Sequence, residues 1–412
     1  MTPSWSDMIR VFGRIGLLSF GGPAAQIALM HRVLVDERKW LDEKTYLSSL
    51  SFCMLLPGPE AMQQATFAGW RLRGVPGGLL AGLLFVAPGA ALILALAALY
   101  VSFGAQPLVQ AAFVGVQAAV VIIVVQALQK VAKRALKDRA AYVIAALAFL
   151  GIFVLGVPFP LIILGAGIYG LITSAGVTGA SDPLPAHRDT LRTVAVWGGL
   201  WVLPLLLLPA TGQDFLWDVA LFFSQLAVVT FGGAYAVLAW MAQAVVDTKG
   251  WITTDQMIDA LGLAETTPGP LILVTEFVAF LAGHGKGGIG LGIAAAGVAL
   301  WATFVPCFLW IFAGAPYVDW IMARPRLKGA LAAITAAVVG VILNLALWFA
   351  LHVVFAQVDD TRFGPLPVWA TLDAIALGLV ALAGLLMGPG KRGMGQTLVI
   401  MASAGIALHL VV

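Results

Sequence analysis

The chain has 412 residues, 61% of them hydrophobic and only 10% charged, with a mean hydropathy of +0.98 and a formal net charge of +3. So apolar a composition excludes a water-soluble domain, and so few charges exclude a nucleic-acid-binding surface. It reads as an all-α polytopic membrane protein, because about 20 consecutive apolar residues cross a bilayer core and many such runs are present.

The amino-terminal residues carry no short apolar core ahead of a small-residue cleavage site, so no removable signal peptide is expected. The first apolar segment covers residues 5–35 and is interrupted at Gly21-Gly22. The second covers 41–73 and is interrupted at Pro57-Gly58-Pro59. Four more follow at 76–103, 107–131, 140–155 and 158–174. A polar connection at 181–189, with Pro183 and Pro185, leads to a seventh segment at 191–208. The plan then repeats, with interrupted segments at 215–246 and 253–281 and further ones at 288–315, 327–355, 369–387 and 396–411. The expectation is about 13 transmembrane helices: a repeat over 1–176, a linker over 177–212 with one extra helix, and a second repeat over 213–412.

The repeat is visible residue by residue. Asp7 and Asp218, Phe20 and Phe231, Trp40 and Trp251, Pro57 and Pro268, Gly58 and Gly269, and Pro59 and Pro270 all lie 211 positions apart. Later segments keep the alignment with a small shift, Ala118-Ala119-Val120-Val121 matching Ala336-Ala337-Val338-Val339. Lysine and arginine placement predicts that the copies are inverted. Lys130, Lys133, Arg134, Lys137 and Arg139 follow the fourth segment, while the matching stretch after the eleventh has none. Arg324, Arg326 and Lys328 precede the eleventh, and the matching stretch before the fourth has none. Positive residues favour the cytoplasmic side, which places the amino terminus inside; the expected location is the cytoplasmic (inner) membrane.

Helix-breaking residues recurring in register inside apolar segments point to a midplane binding site. Peptide N–H groups freed by a break cannot be left bare in hydrocarbon. Each half-helix N-terminus carries roughly +0.5 charge, so four of them supply about +2, a match for a dianion. On that basis Ser19, Gly21, Gly22, Pro23, Gly58, Pro59, Thr230, Gly232, Gly233, Thr266, Thr267, Gly269 and Pro270 are the candidate substrate-binding residues. Glycines let the backbone approach a ligand, prolines suit the first turn of a half-helix, and the hydroxyls can donate to tetrahedral oxygens. One isolated Phe-Gly-Gly is ordinarily close helix packing; four breaks in two matched pairs favour the site. Arg14 precedes the first break and either attracts the anion or snorkels to the surface, and its repeat partner is neutral Gln225. Glu60 and Glu265 flank the second break of each half and are either caps or proton carriers. Gln26, Gln63 and Gln64 read as interhelical glue. Cys53 and Cys307 read as buried thiols, and His187, His284 and His352 have no metal-ligand spacing, so neither metal nor cofactor is expected. No phosphate-binding loop, zinc-protease signature or nucleophile elbow is present, which argues for a transporter and against an enzyme.

The run FGGPAAQIALMHRVLVDERKWLDEKTYLSSLSFCMLLPGPEAMQQATFAGWRLRG, and the later GLLFVAPGA, resemble the amino-terminal repeat of the chromate ion transporter family. TFGGAYAVLAW, GWITTDQMIDALGLAETTPGPLILVTEFVAF and PLVQAAFVGVQAAVVIIV resemble the rest of its long, two-domain form. The resemblance implies a membrane exporter of chromate, a dianion close to sulfate in size and shape, driven by the proton-motive force. It also implies an amide near Glu276, where this chain has a carboxylate. Two other readings stand beside it: transport of sulfate or another oxyanion, inward included, and a membrane enzyme or scaffold handling a lipid phosphate. The lipid bilayer is an expected partner, nucleic acid is not, and a homodimer is left open.

Overall fold

The computed structural model describes residues 3–174, 189–231, 233–322, 324–361 and 364–411. Gly232 and nearly all of the connection at 181–189 lie outside the described residues. The rest is almost wholly helical. The first half runs α1 (Trp5–Leu18), α2 (Gly22–His31), α3 (Glu43–Cys53), α4 (Glu60–Phe103), α5 (Pro107–Ala135), α6 (Arg139–Phe153) and α7 (Phe159–Thr173). After α8 (Thr190–Ala210) come α9 (Asp214–Val229), α10 (Ala234–Gln243), α11 (Thr254–Thr266), α12 (Val274–Gly314), α13 (Val318–Met322), α14 (Pro325–Val354), α15 (Ala374–Met387) and α16 (Met394–Val411). A short antiparallel hairpin of β1 (Val358–Thr361) and β2 (Gly364–Pro367) precedes α15. Among the described residues, six helical stretches are long and apolar enough to cross a membrane.

Local chemistry explains most boundaries. Ser4 caps α1 by accepting from the Asp7 N–H at 3.1 Å, Asp42 caps α3 through Thr45 at 2.8 Å, and Asp138 caps α6 through Ala141 at 2.8 Å. Asp373 caps α15 by accepting from Ile375 and Ala376. Pro107 opens α5, where its missing N–H costs nothing.

The two longest helices are each folded back on themselves. In α4, Arg73 (φ −144°, ψ 31°) and Gly74 (φ 61°, ψ −157°) leave helical geometry, and in α12, Gly287 (φ −156°, ψ 22°) and Gly288 (φ 76°, ψ −170°) do the same. The limbs touch through glycine: a Cβ built on Gly69 meets the Gly77 carbonyl and the Ala81 side chain, and one on Gly283 meets the backbone of Leu291 and Gly292. A cation over an aromatic ring ties each turn to the start of a neighbouring helix. Arg73 lies 4.7 Å from the ring of Trp5 at the start of α1, and Lys286 lies 5.0 Å from the ring of Phe215 at the start of α9.

Contacts divide the chain into two compact units. Unit 1 takes the described residues of Met1–Ala97, Ala175–Ala234 and Thr267–Lys328, and unit 2 those of Ala98–Ser174, Tyr235–Thr266 and Gly329–Val412. Each unit therefore draws on both halves of the sequence. In unit 1, α8 packs on α12 with Trp197 against Phe308 and Phe312 and the Trp301 indole donating to the Leu200 carbonyl at 3.1 Å. In unit 2, α5 and α16 approach until a Cβ on Gly115 would overlap the Met401 carbonyl and one on Gly405 the Ala111 carbonyl. Ala118, Ala119, Ile123, Leu379, Ala383, Leu398 and Met401 form the core beside that crossing. Small residues at the crossing let the helix backbones meet, the packing that serves where lipid is as apolar as the side chains.

Candidate functional site

The four interruptions fall where helices end. α1 stops at Leu18, and Ser19 takes φ −78°, ψ 63°; α9 stops at Val229, and Thr230 takes φ −76°, ψ 77°. Ser19 turns its hydroxyl back onto the Ile15 carbonyl at 2.6 Å, and Thr230 does the same to Leu226 at 2.5 Å. The next N–H in each copy, Phe20 and Phe231, donates to the residue two back at 2.9 Å.

The second interruption of each half reaches the first interruption of the other. Gly58 donates its N–H to the Thr230 carbonyl at 2.8 Å, and Gly269 donates to the Ser19 carbonyl at 2.9 Å. Both bonds lie inside unit 1, and the repeat offset converts one into the other. Gly58 sits at φ 122° and Gly269 at φ 92°, a region that residues with a Cβ rarely adopt. Two glutamines brace the crossings: Gln26 donates to the carbonyls of Ser19 (3.1 Å) and Gly269 (2.7 Å), and Gln63 donates to that of Pro57 (2.7 Å). Gln26, Gln63, Ser19, Thr230 and Thr267 are all buried.

This geometry divides the expected ligand donors. The hydroxyls of Ser19, Thr230 and Thr266 are committed to carbonyls of their own helices, the last to Leu263 at 2.7 Å. The Gly58 and Gly269 amides are committed to the crossing bonds. What stays open in unit 1 is the start of α2, where Gly21 (φ 86°) makes no side-chain cap, Gly21 is exposed, and Gly22 and Pro23 are half-buried. Gly233 (φ 106°) has open space around its Cβ position, whereas Gly58, Pro59, Pro268, Gly269 and Pro270 are buried. The second interruptions thus act as struts and the first as accessible helix starts. Gly232 lies outside the described residues.

The expected ionisable residues fall in both units. Glu60, half-buried, opens α4 within unit 1. Glu265 and Thr266 close α11 within unit 2, where the Tyr235 hydroxyl donates to the buried Glu265 carboxylate. Arg14 is exposed on α1 beside Ile9, Gly13, Leu17 and Leu18 in a shallow groove, while Met8, Val11, Phe12, Ile15 and Ser19 form the buried face. Two further groups stand outside the expected site: Asp259 went unread in the sequence, and Glu276 drew notice there only as a carboxylate where the resemblance implies an amide. Asp259, buried in unit 2, accepts from Tyr100 (2.7 Å) and from Gln117 (2.9 Å). Glu276, in the first turn of α12, is buried with one oxygen unpartnered. Neither Tyr235 nor Asp259 stands in a motif that marks it, and Gln26 has apolar Val237 at its repeat position, so only the folded chain reveals these partners.

Residues 6–171 and 217–408 match the family model described as chromate transporter. A chromate transport protein of Pseudomonas aeruginosa is 33% identical over 387 residues, covering 92% of this chain and 87% of that protein. A probable chromate transport protein of Synechococcus elongatus is 30% identical over 344 residues, covering 82% of this chain and 83% of that one. A chromate transport protein of Cupriavidus metallidurans is 29% identical over 346 residues, covering 82% and 80%. No solved structure matches the chain. With most of both halves matched and its apolar helices on the page, this chain belongs to the chromate transporter family, and it is a multi-pass membrane transporter, not an enzyme.

Proposed function

We propose that the protein exports chromate across the cytoplasmic membrane as a secondary transporter driven by the proton-motive force. The architecture in this reading is two inverted repeats, 1–176 and 213–412, joined by a linker with one extra helix, about 13 helices in all. The relatives' names support the substrate. The observation that carries the site is the pair of crossing hydrogen bonds, Gly58 to Thr230 and Gly269 to Ser19. They hold four helix breaks in one unit, and breaks of this kind serve transported ions elsewhere in membranes.

In this mechanism the anion is held by backbone N–H groups at the helix starts after Gly21-Gly22-Pro23 and Gly232-Gly233, where the partial positive charge lies. The buried second breaks, through Pro59, Thr267 and Pro270, keep those starts in place. Arg14 draws the anion towards the protein. Glu60 and Glu265 take up and release the coupling protons, because a carboxyl held in a membrane is costly unless it serves a charge-moving step. Purified protein in liposomes is expected to move labelled chromate at a rate set by the pH gradient, and Gly22→Leu is expected to abolish movement while leaving insertion intact. Glu265→Gln should retain chromate exchange and lose the response to the gradient. Absence of chromate movement under every gradient would reject the reading, and strong competition by sulfate would widen the substrate to tetrahedral oxyanions.

A further inference from the structure

Glu276 stands six residues after Pro270, in the first turn of α12 and in the same unit as all four breaks. It is 1% exposed, and its Oε2 is buried with no hydrogen-bond partner. Among the described residues no ion pair reaches Glu276. The elements packed on α12 bring Arg192 on α8, Asp214 and Asp218 on α9, Glu60, Arg71 and Arg73 on α4, Cys53 on α3, and Tyr317. On α12 itself lie His284, Lys286 and Cys307. Several of these are engaged elsewhere: Arg73 with Pro3, Lys286 over Phe215, Tyr317 with Thr190, and Cys307 with the Thr303 carbonyl.

A carboxyl removed from water, with a bare oxygen and no cation, is far cheaper to hold neutral than charged. It lies in the unit that holds the helix breaks, so its negative form would repel a dianion bound there. Its repeat counterpart is Ala65, so the arrangement occurs once and not twice. Glu265, by contrast, already has the Tyr235 hydroxyl as a partner.

We propose that Glu276 is a proton-binding carboxyl of the break region, which holds a proton while a dianion occupies the breaks and releases it when the anion leaves. The proposal rests on the oxyanion-transport reading above. Protonation adds one hydrogen to a carboxylate oxygen, so each dianion bound brings one proton onto the protein and the pair leaves as one net negative charge, which the interior-negative potential of the proton-motive force drives outward.

The test is chromate binding to the full-length detergent-solubilised protein across pH, with proton uptake recorded in weak buffer. Wild type should take up a proton with chromate and bind about tenfold more weakly per pH unit once the carboxyl ionises, the slope of one linked proton. Glu276→Gln should still bind but lose both the uptake and that part of the slope; the anion's own titration is common to both proteins and cancels in the comparison. Glu276→Asp should keep the uptake and move the pH midpoint, which serves as the readout if the glutamine variant does not fold. Unchanged slope and uptake in Glu276→Gln, or an aspartate profile identical to wild type, overturns the role of Glu276 alone. Wild-type protein that binds no chromate at any pH overturns the transport reading itself.

Discussion

At Gly58 one residue meets two demands: a backbone at φ 122° and an N–H aimed at the Thr230 carbonyl. A Cβ there would lie 2.8 Å from the Gln63 amide nitrogen and 2.9 Å from the Cys307 sulfur. Gly58→Ala is therefore expected to cost about 1–3 kcal/mol from backbone strain alone, measured as a lower midpoint of thermal unfolding in detergent, with transport lost in parallel. Gly22→Leu adds no overlap, because nothing lies within 4 Å of its Cβ position, but at φ 78° it carries a backbone strain of the same kind, so its unfolding midpoint should fall as well. Gln26 offers the second residue-scale test. Its amide is shared between Ser19 and Gly269, and Ser19 keeps the Gly269 N–H when the glutamine is removed. Gln26→Leu should thus strip one buried carbonyl, that of Gly269, and destabilise by about 1–3 kcal/mol. A variant that melts with the wild type would show that water replaces the amide.

Among the elements, the folded-back α4 and α12 decide how the breaks are presented. Each has a tight turn at glycine, limbs in contact through glycine, and a cation–aromatic tie from its turn to α1 or α9. Because the tied helices are the ones that end at Ser19 and Thr230, each hairpin anchors the start of the helix whose far end forms a break. Gly69→Val should wedge the limbs of α4 apart, since even a single Cβ overlaps the Gly77 carbonyl. The expected outcome is poor recovery of monodisperse protein, whereas Gly285→Val, with nothing within 4 Å, should be recovered normally. The breaks themselves were readable in advance: proline cannot continue a helix interior, and paired glycines weaken one. The seams at Arg73-Gly74 and Gly287-Gly288 fall at the edges of predicted segments, after the one at 41–73 and before the one at 288–315. The β1–β2 hairpin was not readable, because its polar, proline-containing stretch looks like any loop.

For the whole molecule, the charge pattern makes a topological prediction. Cys53 and Cys307 are buried, so introduced cysteines can be labelled against little background. Lys137→Cys should react only with reagent on the cytoplasmic side and Gln357→Cys only with reagent outside; labelling of both from one side would remove the inverted arrangement.

Composition and repetition by themselves determined the membrane class, the places where helices break, and the resemblance that the family match then supported. Those features are local: apolar runs long enough for a bilayer, and residues whose own covalent structure forbids a helix. Only the tertiary structure decided which break meets which. It sent the Gly58 and Gly269 amides across to the opposite repeat, turned the serine and threonine hydroxyls onto their own helices, and buried Glu276 without a partner. It also regrouped the two sequence halves into units that each take from both. The crossing bonds join residues some two hundred positions apart, and no pattern in the neighbouring sequence encodes where such a hydrogen bond will find its acceptor.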